Sequence, residues 1–413
     1  MSAPTGILQI VPELAGQTLL KGHKSALEAF GKKLEDKQKA WRALDVLMAP
    51  KPPRWDALRE LAEEIIANNR QVIFLSEGLL DATARAAHSL LGSNSGSRTQ
   101  PKLHLVSSNL SADKLASLGR ELSGRRASLI LAFEGEPSAR LLWCFERLYA
   151  QLSEGRQIAE VQRRVIISAG GSWPEWAKKN RFRCLGLNER SVGRYLFFSE
   201  PIALLLLLSG VPAWQCVEGG RSLVRGFDKK AGLSDSMLAY SALREVQLGE
   251  KARESLHLPD ESFLDFARWW RLLTEDSRQE FSEDQGESRF EVGSVMSERF
   301  PEKGRQWVTE IRVEGERSAA LTKGASLGWP KELRSWGAAE PEYQNALESQ
   351  RADESHAQPH IRLSLRRLDA MSVGALFAFF EGVVSASHKL ADLDDDWDLL
   401  QPRSVSTPIE SQV

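Results

Sequence analysis

The chain has little cysteine, no excess of charge of either sign and no long apolar run. Its three cysteines, Cys144, Cys184 and Cys216, lie far apart and form no Cys-x-x-Cys pair. That is too few thiols for a disulfide framework or a thiolate metal centre, and it suits a reducing, cytoplasmic compartment. Fifty-four Lys and Arg against 56 Asp and Glu leave a formal net charge of −2, so no global positive field gathers phosphate backbone or anionic lipid. Neither nucleic acid nor a membrane is expected as a partner. The most apolar stretch, IALLLLL at 202–208, falls far short of the ~20 residues a membrane span needs. The first twenty residues hold Pro12 and Glu13 and no small-residue cleavage pattern, so no signal peptide is expected. Seven scattered histidines show no metal-ligand spacing, and neither a metal nor a cofactor is expected. What is present, 42% hydrophobic and 27% charged residues over 413 positions, is a soluble globular composition with room for two cores or one large one.

Apolar positions at three-and-four spacing predict amphipathic helices over 24–48 and 55–69, divided by Pro50, Pro52 and Pro53. Beyond them, strand-length apolar runs at 71–75, 102–106, 129–133, 164–168 and 182–187 alternate with helical stretches. The runs VIFL, LHLV, LILAF and RVIIS are almost continuously apolar, as a parallel sheet covered on both faces requires. The fold class is therefore α/β, doubly wound over about residues 60–190. Residues 193–212 read as a connector with a buried helix. In the second half, 234–249, 262–275 and 371–391 predict helices, and 307–313 and 361–365 predict strands. Residues 282–304 and 340–358, rich in Glu, Asp, Ser, Gln and Gly, predict solvated loops.

Three segments together resemble the phosphoglucose isomerase (glucose-6-phosphate isomerase) family. Residues 188–201, NERSVGRYLFFSEP, are similar to its Gly-Gly-Arg-Phe/Tyr-Ser signature. Gly193, Arg194 and Tyr195 match, while Val192 and Leu196 replace the first glycine and the serine. Residues 361–381 resemble the strand and long helix before the closing motif, Gln-Pro-Gly-Val-Glu, which is echoed by Gln401, Pro402, Arg403, Ser404 and Val405. Residues 266–277 resemble the helix that ends in Glu-Ser-x-Gly-Lys. The resemblance spans about residues 30–405. It implies two αβα sandwich domains of the sugar-isomerase (SIS) type with parallel sheets: an N-terminal helical segment at 1–55, a first domain at 56–190, a second at 191–400 and a tail at 401–413. It also implies a homodimer, for which the apolar helix 371–391 is the expected contact.

Interconverting an aldose and a ketose through an enediol needs a base to move a proton between carbons, a cation beside the oxyanion, and a group that opens the ring. The resemblance assigns these to a glutamate, the signature arginine, a histidine and a lysine. The arginine is Arg194. The glutamate falls on Asp276, or on Glu275 if the helix is shifted by one; an aspartate there is one methylene short, a displacement that can cost ~100-fold in rate. The histidine position falls on Gln306, which exchanges no proton near neutral pH. The lysine has no counterpart, since nothing after Arg403 is basic.

The phosphate turns differ further. The family's Gly-Ile-Gly-Gly-Ser corresponds to Phe74-Leu75-Ser76-Glu77-Gly78, and its Ser-Lys-Thr-x-Thr-Thr to Phe133-Glu134-Gly135-Glu136-Pro137-Ser138. Ser76, Gly78, Glu134, Gly135 and Ser138 thus occupy vestigial substrate positions. Glu77, Glu134 and Glu136 set carboxylates where a dianionic phosphate would bind, a like-charge repulsion of several kcal/mol in a partly dry cleft, and Pro137 removes a backbone donor.

The expectation is a phosphoglucose-isomerase-like protein without catalysis, kept as a structural or regulatory partner of other proteins, in sugar-phosphate metabolism. The alternatives are a divergent active isomerase of glucose 6-phosphate and fructose 6-phosphate, and an acidic cleft for a non-phosphorylated or cationic ligand. Glu134 and Glu136 pointing into a closed cleft would favour the last; facing solvent, the first. Plainer readings stand beside these. Arg194 pairs with a buried acid at the domain junction. Asp276, Ser277 and Glu280 are a solvated helix end. Asp392, Asp394, Asp395, Asp396 and Asp398 form a charged loop, and Trp269, Trp270 and Trp397 are core.

Overall fold

The computed structural model describes residues 8–12, 55–92, 100–122, 124–187, 195–225, 237, 240–241, 244, 253–279, 290–291, 306–313 and 360–390. Its first half runs β1 (Leu8–Pro12), α1 (Trp55–Asn68), β2 (Gln71–Ser76), α2 (Gly78–Leu91), β3 (Lys102–Ser107), α3 (Ala112–Leu122), β4 (Ala127–Ala132), α4 (Ala139–Ser153), α5 (Ile158–Arg163), β5 (Val165–Ala169), α6 (Trp173–Lys179) and β6 (Arg183–Gly186). The second half runs α7 (Glu200–Leu208), α8 (Ala213–Arg225), β7 (Arg253–His257), α9 (Leu264–Gln279), β8 (Phe290–Glu291), β9 (Gln306–Val313), β10 (His360–Leu365) and α10 (Ala370–Leu390).

Two five-stranded sheets result, in the orders β3-β2-β4-β5-β6 and β1-β10-β9-β7-β8. All neighbours in the first are parallel; in the second only β1 runs antiparallel, along β10. The fold is α/β. β2, β4 and β5 are buried at every position, because alternate side chains of each strand enter different cores. Val72, Phe74, Ile130 and Ile166 join one cluster, and Ile73, Leu75, Leu129, Leu131, Val165 and Ile167 the other. That two-sided demand is why these strands read as unbroken apolar runs.

The first of those clusters continues into the second half and joins the two sheets. At its centre Phe197 stacks on Phe377 at 3.8 Å between ring centroids, and Trp269 and Trp270, both fully buried, pack on Phe377 and Phe380 at 4.5 Å. α7 contributes an almost wholly buried face. α8 and α10 cross so closely that a Cβ on Gly374 would lie 1.9 Å from the Cys216 carbonyl oxygen, and one on Gly219 1.9 Å from that of Met371. Beneath the second sheet, Arg244 and Glu254 form a buried ion pair at 2.9 Å. The Tyr240 hydroxyl and the Trp270 indole also donate to Glu254, each at 3.3 Å.

The strands expected in the first half lie within a residue or two of those observed. Three features differ from expectation. β1 lies inside the segment read as helical, and β7, whose sequence RESLH carries little apolar signal, is an inner strand. β8 falls inside the predicted loop 282–304. In the helix expected at a dimer contact, residues 372–386 are buried within the chain itself. The predicted helix 24–48, loop 340–358, the aspartate cluster at 392–398, Trp397 and the tail lie outside the described residues. Among the described residues no helix is long and apolar enough to cross a membrane.

Candidate functional site

In the order β3-β2-β4-β5-β6 the chain leaves β2 toward β3 on one side and reaches β4 on the other. A crevice opens at such a switch point, outside the carboxyl ends of the two central strands, and α/β folds use it for ligands. Ser76 of β2 pairs with Ala132 of β4, so the turns that follow them, Glu77-Gly78 and residues 133–138, face one another. Gly78 takes φ of 61° where its Cβ would meet open space, so glycine serves the left-handed backbone there and not packing. Gly135 also takes the left-handed region, at φ 57°.

Ser138 caps α4, its Oγ accepting the Leu141 N–H at 3.1 Å. The backbone donors and positive dipole end of such a helix make a place for an anion. That place is taken by the chain itself. The Glu77 carboxylate crosses the crevice and accepts the Ser138 N–H at 2.8 Å on Oε1 and the Ser138 hydroxyl at 2.5 Å on Oε2. Ser76 is engaged too, its buried hydroxyl donating to Asp81 at 3.2 Å, and Asp81 in turn pairs with Arg85 at 2.9 Å. Glu136 is exposed and accepts the Trp173 indole N–H at 3.4 Å; Glu134 is half-buried at the base of its turn.

The loops after β2, β3, β4 and β5 contain three glutamates and no lysine or arginine. Arg140, in the first turn of α4, points elsewhere, donating to the Ser108 carbonyl at 3.1 Å and the Leu110 carbonyl at 2.9 Å. Below it the Cys144 thiol is pushed up in pKa by burial, with Arg140 opposing and Glu77 adding to the rise.

The structure therefore gathers Ser76, Gly78, Glu134, Gly135 and Ser138 around one crevice. Arg194 lies outside the described residues. Asp276 is in the last turns of α9 and Gln306 opens β9, with only their backbones described. Glu275 pairs with Arg271 at 2.6 Å on the partly exposed side of α9.

Just after the arginine signature, Tyr195-Leu196-Phe197-Phe198 is buried, and a carboxylate that sequence reasoning missed holds it. Glu381 of α10 accepts the Phe197 N–H at 3.1 Å, and the Leu196 N–H also bonds to it. Burial pushes its pKa up to about 8, against those two donors. Its signal in the sequence was a lone acid inside an otherwise apolar helix.

No protein-family model and no curated protein matches this sequence. Solved structures do. A hypothetical protein of Thermus thermophilus superposes with a TM-score of 0.64 at 14% identity, over 93% of this chain and 95% of that one. A glucose-6-phosphate isomerase of Chlamydia trachomatis superposes with a TM-score of 0.66 at 13% identity, over 92% of this chain and 81% of that one. At such identities the likeness speaks for the fold, which is the α/β sugar-isomerase type.

Proposed function

We propose that this chain is a sugar-isomerase-fold protein that no longer isomerises sugar phosphates and serves as a structural or regulatory binding partner in sugar-phosphate metabolism, in the cytoplasm and as a homodimer. The observation that carries this reading is the Glu77 carboxylate seated on the Ser138 N–H and hydroxyl. A substrate phosphate would have to displace a covalently tethered anion and would meet a rim of glutamates without a facing cation. The solvent-exposed Glu136 favours this scaffold reading over a closed acidic ligand cleft.

A coupled assay for conversion of fructose 6-phosphate to glucose 6-phosphate, on the full chain beside an Arg194→Ala variant, tests it. The expected result is no turnover in either. Turnover by the native chain that vanishes in the variant would establish the divergent isomerase instead.

A further inference from the structure

At the opposite edge of the same sheet, every strand starts on, or directly after, a basic residue. In spatial order these are Lys102, Arg70, Arg126, Arg164 and Arg183; the register sets Arg70 directly beside Arg126, about 4.8 Å away, and staggers the others along the edge. Part of this row has an ordinary explanation. Helices end at this edge and their dipoles favour cations there. Lys102 pairs with Glu121 at 2.6 Å, Arg164 with Glu160 at 2.5 Å, and Arg183 engages Glu64 with both terminal nitrogens, one at 2.8 Å.

The middle of the row is different. Arg70, Arg125 and Arg126 are exposed, and among the described residues no carboxylate lies within ion-pair distance of any of them, Glu121 acting on Arg125 from further off. Their backbones are fixed together. The Arg126 carbonyl accepts the Arg70 N–H at 2.9 Å and the Gln71 N–H at 3.3 Å, and the Arg125 carbonyl accepts the Arg156 guanidinium. Arg164, alongside, keeps a buried Nη1 with no hydrogen-bond partner. Its charged form is disfavoured first by burial and further by Arg156 and Arg126, with Glu160 the relieving acid. Around Arg164 the guanidiniums of Arg126 and Arg156 thus face one carboxylate, Glu160, while Glu121 faces both Lys102 and Arg125.

We propose that Arg70, Arg125 and Arg126 form a binding site for a phosphate monoester dianion, carried either by a phosphorylated small molecule or by a phosphorylated side chain of a partner protein. Arginine forks match phosphate oxygens in bidentate geometry, and clusters of them read phosphorylated motifs. An extended polyanion such as a nucleic-acid strand would run along the edge past Glu121, Glu160 and Glu64, which repel it. The site lies at the other end of the strands from the crevice and does not rest on the function proposed above.

The test is arginine modification of the full chain by phenylglyoxal, read peptide by peptide by mass spectrometry at matched ionic strength. The probes are fructose 6-phosphate, a Gly-phosphoserine-Gly peptide and a single-stranded oligonucleotide. At a probe concentration about ten times its dissociation constant, modification of Arg70, Arg125 and Arg126 is expected to slow about ten-fold, with Arg59 and Arg268, whose side chains are 63% and 73% exposed, unchanged as internal references. Whichever monoester shields identifies the carrier. In an Arg70→Gln/Arg126→Gln variant, with an unaltered unfolding midpoint, shielding of Arg125 should be lost. No shielding by either monoester, or shielding by the oligonucleotide alone, overturns the proposal.

Discussion

If Glu77 is a built-in stand-in for phosphate, removing its charge should both loosen the turn and open it to anions. In Glu77→Gln the amide oxygen still accepts the Ser138 N–H, but the amide nitrogen cannot accept the Ser138 hydroxyl, now held at 2.5 Å. The hydrogen bond to a charged acceptor is worth about 1.5–3 kcal/mol when made, and the charge beside the first turn of α4 about 0.3–1 kcal/mol. Glu77 is half-buried and Ser138 exposed, so the lower ends apply and the variant should lose about 2 kcal/mol. The native chain must give up that same energy to admit a phosphate, which weakens its apparent affinity about 30-fold relative to the variant.

Urea unfolding with increasing inorganic phosphate measures both quantities. The expected pattern is a variant less stable without phosphate that recovers by about 2.7 kcal/mol when phosphate reaches ~100 times its dissociation constant, while the native chain, binding about 30-fold more weakly, gains only about 0.9 kcal/mol over the same range. Equal stabilisation of both chains, or a variant as stable as the native chain without phosphate, would refute the assignment of Glu77 as a tethered anion.

Three further outcomes follow from the packing. Gly374→Ala places a methyl 1.9 Å from the Cys216 carbonyl oxygen and should cost at least about 1–3 kcal/mol by prising α8 from α10; Gly170→Ala, with open space around it, should stay within about 0.5 kcal/mol. Arg244→Met leaves Glu254 buried with only the Tyr240 and Trp270 donors and should cost about 3–5 kcal/mol; a loss below about 1 kcal/mol in urea unfolding would contradict the buried pair. Glu381 binds its proton more tightly folded than unfolded, its pKa raised from 4.5 to about 8. Its contribution is therefore full below pH ~4.5 and declines as pH rises toward 8, by about 1.4 kcal/mol per pH unit, and Glu381→Gln should flatten that slope in unfolding measured across the range.

The first sheet was legible because burial on both faces writes itself into sequence as VIFL, LILAF and RVIIS, and because each strand returns through an amphipathic helix. The second sheet was only half legible. β7 is held between β8 and β9 yet carries Arg253, Glu254 and His257 among five residues. One of these, Glu254, is buried against Arg244, a partner ten residues upstream. A buried ion pair erases the apolar signal that marks an inner strand, and nothing local shows that the two charges cancel. β1 was invisible for another reason: its partner, β10, lies some 350 residues along the chain, and no local pattern encodes so distant a pairing.

The candidate site shows the same division between residue type and geometry. That acids line these turns is legible from Glu77, Glu134 and Glu136 alone, and by charge the three are alike. The structure separates them. β2 and β4 are neighbours in parallel register, with Ser76 opposite Ala132, so the residue just past β2 faces the turn that leads into α4. Gly78, bent into the left-handed region, starts α2 directly behind Glu77 and aims that carboxylate across the gap. Glu136 sits on the far turn itself and reaches outward to Trp173. One glutamate therefore satisfies the helix end while another only adds to the negative rim. A carboxylate that completes the hydrogen bonds of the helix end stabilises the fold, whereas one that merely repels phosphate does not. The first kind gives the crevice a structural reason to keep its shape without a bound ligand.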